Sequence, residues 1–183
     1  MAMATYCDYC NSNPEDTFNK DYHDTEYGFP LNDDNLLFER LILEINQAGL
    51  SWITILKKAD NFRKAYRKFD IPTVAKFTEK DRTRLLSDAG IIRNRLKVNA
   101  AIVNAQKILE LRKVYGSFKG WLDAHHPLTR EEWTKLFKKT FIFVGGEIVN
   151  EFLMSTGYLE GAHDKNCPMY KKVASLRPAW MRS

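Results

Sequence analysis

The sequence predicts an all-α protein. Apolar residues recur at helical spacing through nearly the whole chain, and capping residues stand ahead of several of those stretches. The one β-like run, Phe141–Val144, is short and has no partner run. The first firm helix begins at Asn32 or Asp33, both good N-caps, and extends to about Ala48. A second starts at Ser51 and carries Trp52, Ile55, Leu56, Phe62 and Tyr66 to Phe69. Pro72, with its φ already set for a first helical turn, opens a short segment through Phe77. Thr78 and Asp81 approximate a capping box for a helix to Asp88. A break at Ala89-Gly90-Ile91-Ile92 precedes a long helix from Arg93 to about Tyr115, and Gly116 and Gly120 bracket a turn. Thr129 and Glu132 cap a helix holding Trp133, Leu136 and Phe137. Phe141–Val144 is then a buried approach to a last helix, Gly145 to Thr156, ended by Gly157. The basic tail after Lys172 is expected to be poorly ordered, with Trp180 as a candidate anchor.

With 183 residues, 44% of them hydrophobic, the chain suits one domain with a sizeable core. The formal net charge of +5 favours polyanionic partners, nucleic acid above all. Met1–Thr5 lacks the apolar stretch of a secretory leader, and no run approaches the ~18 apolar residues a membrane span needs. A cytoplasmic protein without membrane contact is expected. Three cysteines, an odd number, argue against a disulfide framework and leave metal binding or inert burial.

Cys7 and Cys10 form a Cys-x-x-Cys pair, His23 follows, and His163 and Cys167 form a distant His-x3-Cys pair. Zinc favours four such ligands in a closed tetrahedron. A pair from each terminus would clip the two chain ends together, and closing so long a loop stabilises a fold. Spacing alone leaves five candidates for four places: Cys7, Cys10, His163 and Cys167, or His23 in place of either cysteine of the first pair. His125 and His126, in a polar turn before a proline, read as surface residues.

The break around Gly90 reads either as an ordinary turn between helices or as a phosphate grip. In the second reading, N–H groups at the start of the next helix receive a DNA phosphate, with Arg93, Arg95 and Lys97 adding charge. Ile91 and Ile92 pack the turn in both readings.

Leu37, Leu41, Glu44 and Ala48 share one helical stripe, so Glu44 faces the same way as core residues. Such a carboxylate is either paired or has a raised pKa, and is a candidate functional group. Trp52 follows within one turn of chain, and Tyr22 could supply a second aromatic wall. An aromatic beside a carboxylate suits a planar, electron-poor base. The bland alternatives are a salt bridge for Glu44 and core packing for the rings.

Several segments together resemble the DNA-3-methyladenine glycosylase I family. They are Tyr22-His23-Asp24-x-Glu26-Tyr27-Gly28, Leu43-Glu44-x-x-Gln47-Ala48-Gly49-Leu50-Ser51-Trp52-Ile53-Thr54, Asp88-Ala89-Gly90-Ile91-Ile92-Arg93, Phe143-Val144-Gly145 and His163-x3-Cys167. The resemblance implies a helix-hairpin-helix DNA glycosylase fold in a single domain over residues 1–183. Core helices would occupy about 32–157, and a zinc-binding lobe of about 7–28 and 158–170 would join the termini. It implies one structural Zn2+ on Cys7, His23, His163 and Cys167. It implies a base pocket of Glu44, Tyr22 and Trp52, with Tyr9 where the family usually has a tryptophan, and Gly90, Ile91, Ile92, Arg93 and Arg95 on the DNA backbone. Three extra residues between Pro14 and Tyr22 leave Phe18 or Asn19 in place of a pocket tyrosine. Tyr27 stands where a tryptophan is usual, and Gly146-Glu147 where small hydroxyl residues are common, so the pocket has an altered shape.

The implied activity is a monofunctional N-glycosylase, catalysed through Glu44. It would excise 3-methyladenine from double-stranded DNA containing alkylated bases, releasing free 3-methyladenine and leaving an abasic site. A monomer is expected. The alternatives are a non-catalytic zinc-stabilised domain that binds damaged DNA and a helical domain that binds a protein partner.

Overall fold

Side-chain caps decide where most of the helices begin. The computed structural model describes residues 4–182, so Met1–Met3 of the stretch read for a leader lie outside it. Among the described residues there are twelve α-helices, two 3-10 turns and no strand. The helices are α1 (Tyr6–Ser12), α2 (Thr17–Thr25), α3 (Asp34–Gln47), α4 (Trp52–Leu56), α5 (Ala59–Ala65), α6 (Ile71–Ala75), α7 (Glu79–Leu86), α8 (Arg95–Tyr115), α9 (Phe118–His125), α10 (Arg130–Thr140), α11 (Gly146–Ser155) and α12 (Pro168–Ser175). Asp33 accepts the Leu36 N–H at 3.0 Å to start α3. Thr129 and Glu132 form a full capping box on α10. Asn94 accepts the Lys97 N–H at 3.1 Å, which starts α8 two residues later than Arg93.

Several stretches differ from the sequence reading; the approach expected to be buried, Phe141–Val144, exposes Ile142 and Phe143 and buries only its two ends. The expected long helix from Ser51 to Phe69 divides into α4, α5 and a 3-10 turn at Arg67–Phe69. Arg67, Lys68 and Phe69 all take positive φ, near 55°, and this reversal buries Phe69 and stacks it on Tyr66 at 5.4 Å. Tertiary burial overrides local propensity there. Gly120 is inside α9 and not in a turn. Asp34 accepts the Phe118 and Lys119 N–H groups at 2.8 and 3.0 Å, capping α9 from another helix. A Cβ at 120 would lie 2.3 Å from the Tyr115 carbonyl oxygen, so close approach is what requires glycine. The tail is ordered: α12 leads to a second 3-10 turn, Ala179–Met181, whose Trp180 N–H donates to the Gly157 carbonyl at 3.2 Å.

α3 runs through the middle and is buried without a break from Leu37 to Asn46. Phe38, Phe62, Tyr66 and Phe69 form one aromatic cluster; Phe118, Trp121, Trp133, Phe137 and Phe152 form another. Each fully buried aromatic contributes about 2–3 kcal/mol of apolar transfer, so most of the fold's stability sits in this frame. α8 packs against α6, α7, α9 and α3.

The chain ends form a lobe on α11. The Gly28 N–H donates to the Ser155 carbonyl at 2.9 Å. Gly28 has φ +81°, and a Cβ there would sit 2.8 Å from the Ala162 Cβ, so only glycine lets the two ends meet. No helix among the described residues is long and apolar enough to cross a membrane.

Candidate active site and metal centre

Five helices and the turn after α2 converge on a cavity of about 210 Å³ lined by Tyr6, Tyr22, Tyr27, Glu44, Gln47, Trp52 and Glu151. α3 supplies Glu44 and Gln47, α4 Trp52, α2 Tyr22, α1 Tyr6 and α11 Glu151; Tyr27 follows α2. The Tyr22 and Trp52 rings lie 5.1 Å apart at 59°, and Tyr22 and Tyr27 lie 5.6 Å apart at 35°. Tyr6 meets Tyr27 edge-on at 5.4 Å. Arg40, one turn before Glu44 on α3, fixes the back of this wall. It donates to the Tyr22 hydroxyl at 3.2 Å and to the Ser155 carbonyl at 3.3 Å, and pairs with Glu26 at 3.0 Å.

Glu44 is 4% exposed and accepts no hydrogen bond from the protein among the described residues. Burial pushes its carboxyl up to about 8; nearby Glu151 adds to the rise and Arg40 opposes it. Glu151 is also raised, again chiefly by burial, while the Tyr27 hydroxyl holds its Oε2 at 3.2 Å. The Trp52 indole N–H has no partner among the described residues. The result is an aromatic cavity with two acidic groups and open hydrogen-bonding capacity, which suits a planar cation carrying N–H groups.

Beside the cavity, Cys7, His23, His163 and Cys167 bring their ligand atoms within 4.8 Å of one another, and all four residues are buried. The four S···N separations are 3.3, 3.7, 3.6 and 3.9 Å. Zn–S near 2.3 Å and Zn–N near 2.05 Å, at tetrahedral angles, require an edge of about 3.6 Å, so the donor set fits a tetrahedral ion. The outer contacts fit as well. His23 Nδ1 donates to Asp24 at 2.7 Å, and His163 Nε2 donates to the Tyr27 carbonyl at 2.7 Å, which orients each remaining nitrogen inward. The Asp164 N–H approaches Cys7 Sγ at 3.4 Å. Cys10 stands apart: its thiol faces the Asn19 carbonyl at 3.7 Å.

The turn between α7 and α8 carries the other expected residues. Arg93 and Arg95 are exposed, Ile91 is buried, and Ile92 packs half-buried on the core. The Gly90 N–H is already engaged by Asp88 Oδ1 at 2.8 Å, so this glycine serves the turn and does not offer its own amide. A Cβ at Gly90 would press on Asp88 and Asn61. Lys97 does not join the charged patch. It is 5% exposed and donates to the Asn46 and Ala48 carbonyls at 2.8 and 2.7 Å, capping the C-terminus of α3.

Tyr9 is the pocket residue that the structure places elsewhere. It is 44% exposed and its hydroxyl donates to Asp16 at 2.8 Å. At about 100° per residue, Tyr6, Cys7 and Cys10 share one face of α1, and Tyr9 falls about 60° outside it. Tyr6 takes the cavity position instead. Neither Phe18 nor Asn19 lines the cavity; Phe18 is exposed, and Asn19 Oδ1 accepts the Tyr6 hydroxyl at 3.0 Å. Sequence reasoning also missed Glu151: its i±3 and i±4 neighbours on α11 are Glu147, Ile148, Met154 and Ser155, two of them polar, while the buried Val149, Phe152 and Leu153 lie on the opposite face, so no apolar stripe marks it as one marks Glu44.

The methyladenine glycosylase family model matches residues 10–135. The chain is 34% identical to the DNA-3-methyladenine glycosylase of Haemophilus influenzae, with 91% of this chain and 98% of that protein covered. It is 38% identical to DNA-3-methyladenine glycosylase 1 of Escherichia coli, over 81% and 89%. Among solved structures, 3-methyladenine DNA glycosylase I from Staphylococcus aureus matches with a TM-score of 0.80 at 32% identity, covering 90% of this chain and 97% of that one. A variant 3-methyladenine DNA glycosylase I in complex with 3-methyladenine matches with the same TM-score and identity, over 87% and 95%.

Proposed function

The chain belongs to the methyladenine glycosylase family, and on that premise we propose that it is a DNA-repair N-glycosylase that removes 3-methyladenine from alkylated double-stranded DNA. One observation carries the reading: Glu44, a buried carboxyl without a hydrogen-bond partner among the described residues, opens into a cavity walled by aromatic rings. N3-methylation leaves adenine cationic on the sugar, which weakens the glycosidic bond. The lesion flips out at a cost of a few kcal/mol. Tyr22, Trp52, Tyr6 and Tyr27 enclose it, and Glu44 accepts hydrogen bonds from its edge and offsets its charge. Water bonds to C1′ as the C1′–N9 bond breaks; the electron pair returns to the base and neutralises it, and a proton leaves to solvent. A base that leaves so readily needs little acid catalysis, in keeping with the absence of any Asp from Asn94 through Tyr115. Lys97 is tied to two carbonyls, and no lysine lines the cavity among the described residues, which supports a monofunctional enzyme.

Cys7, His23, His163 and Cys167 hold one zinc ion, whose four protein ligands leave no open position for chemistry. Its role is to join the chain ends. Ile91 and Ile92 anchor the Gly90 turn, from which Arg93 and Arg95 reach DNA phosphates. The protein acts as a cytoplasmic monomer.

Chromatography of bases freed from methylated duplex DNA tests the reading. Free 3-methyladenine should appear, with strands that break only on later alkali treatment. Lesion binding without base release would leave a damage-binding domain instead. Arg93→Ala and Arg95→Ala should each weaken damaged and undamaged duplex alike. Each should also flatten the slope of log K against log salt by about 0.9. An unchanged slope would remove these arginines from the DNA contact.

A further inference from the structure

The cavity contains a second carboxylate that the mechanism above leaves unused. Glu151 lines it together with Glu44, and the Tyr27 hydroxyl fixes Glu151 Oε2 at 3.2 Å. Tyrosine at 27, where the family resemblance leads to tryptophan, is what makes that bond available. The other Glu151 oxygen and both Glu44 oxygens accept nothing from the protein among the described residues. Once a cationic ligand draws the proton from Glu44, three acceptor atoms are therefore open to it. An adenine-type base presents two N–H groups, both on its amino nitrogen. A guanine-type base presents three along one edge, N1–H and the two of its amino group. Methylation at N7 also makes guanine cationic on the sugar, which matches an aromatic cavity with acidic groups.

We propose that Glu151 is a specificity-determining residue that widens the substrate class to cationic N-methylpurines of the guanine type, alongside 3-methyladenine. The inference rests on the glycosylase reading and deepens it. The reaction is the same hydrolysis: water adds at C1′, the C1′–N9 bond breaks, the electron pair neutralises the methylated base, and a proton leaves to solvent. No further reactant is needed. Glu44 accepts from the donor edge that each base turns toward it, the 6-amino group of adenine or the N1–H and 2-amino group of guanine, and Glu151 accepts from the additional donor of the guanine type.

Duplex DNA treated with dimethyl sulfate carries N7-methylguanine and N3-methyladenine together, so one digestion reports both. Wild-type protein should free both bases. In Glu151→Gln and Glu151→Ser the ratio of freed 7-methylguanine to 3-methyladenine should fall about tenfold or more, whatever the absolute rates. The ratio separates recognition from a merely structural role, because loss of Tyr27 support would lower both bases alike. Competition by free 7-methylguanine for the wild-type cavity, followed by tryptophan fluorescence, gives a measure that needs no variant and should show binding. Release of 3-methyladenine alone with no competition, or an unchanged ratio in folded variants, would overturn the role of Glu151 and leave the glycosylase reading standing. Release of neither base would overturn the glycosylase reading itself.

Discussion

Replacing Glu44 with Gln should make the protein harder to unfold and nearly inactive. The buried carboxyl holds its proton up to about pH 8, against an ordinary value of 4.5. Between those values the folded state binds more protons than the unfolded state, so stability falls as pH rises through the window and levels off above it. A gap of that size corresponds to at most a few kcal/mol, about 4–5. Glutamine has no charge to bury, although its amide still needs partners in an aromatic wall. A net gain of about 1–3 kcal/mol is expected at pH 8.5, and almost none at pH 4.5. Urea unfolding of both proteins across that range reads the difference directly. Activity should move the other way. The flipped base is cationic, and a carboxylate in a poorly solvated cavity is stabilised by it and stabilises it in return. Losing that charge-assisted contact should cost about 100-fold in single-turnover release of 3-methyladenine, near 2.7 kcal/mol. Full release by Glu44→Gln, or a wild-type stability that does not fall relative to the variant with rising pH, would remove Glu44 from its assigned place.

The same residue explains how much of the site the sequence reveals. Glu44 sits on an apolar stripe, and a stripe specifies a direction, so its burial follows from periodicity. Trp52 and Tyr22 need only lie near, and the rings of α2 and α4 do meet at 5.1 Å. Tyr9, which the resemblance puts in the pocket, lies outside it because the phase of α1 turns Tyr6 inward and Tyr9 toward Asp16. Charge alone puts Lys97 with the turn. It follows the turn closely, but the next helix carries it under α3, where two carbonyls take its ammonium. Helix starts were legible at Asp33 and Thr129 because the caps are local. The Asp34 cap on α9 was not, because 84 residues separate donor and acceptor. The clustering of residues 7, 23, 163 and 167 is likewise a property of the folded chain. Spacing leaves five candidates; the resemblance prefers Cys7 to Cys10, and the geometry likewise sets Cys10 apart.

Removing the metal should damage the base cavity as well as the lobe, because the two share their supports. Tyr6 precedes Cys7 in α1, Tyr22 precedes His23 in α2, and the Tyr27 carbonyl accepts from His163. Three of the four aromatic walls therefore hang on ligand residues or their immediate neighbours, while α3 to α11 keep their own aromatic core. Binding energy in a structural zinc site is folding energy for whatever it ties together, and an ion on these four residues would close the loop between the chain ends. Loss of about 4 kcal/mol from a chain of this size should lower Tm by roughly 8–16 °C. Protein dialysed against a chelator should keep most of its helical circular dichroism, lose affinity for free 3-methyladenine by more than about tenfold, and recover both Tm and affinity on adding zinc. The expected zinc content is one ion per chain. Cys10→Ser should retain it, since that thiol faces the Asn19 carbonyl, and Cys7→Ser should not. A stripped protein with unchanged Tm and base affinity would separate the cluster from the cavity. An ion lost by Cys10→Ser and kept by Cys7→Ser would place the metal on a different set of ligands.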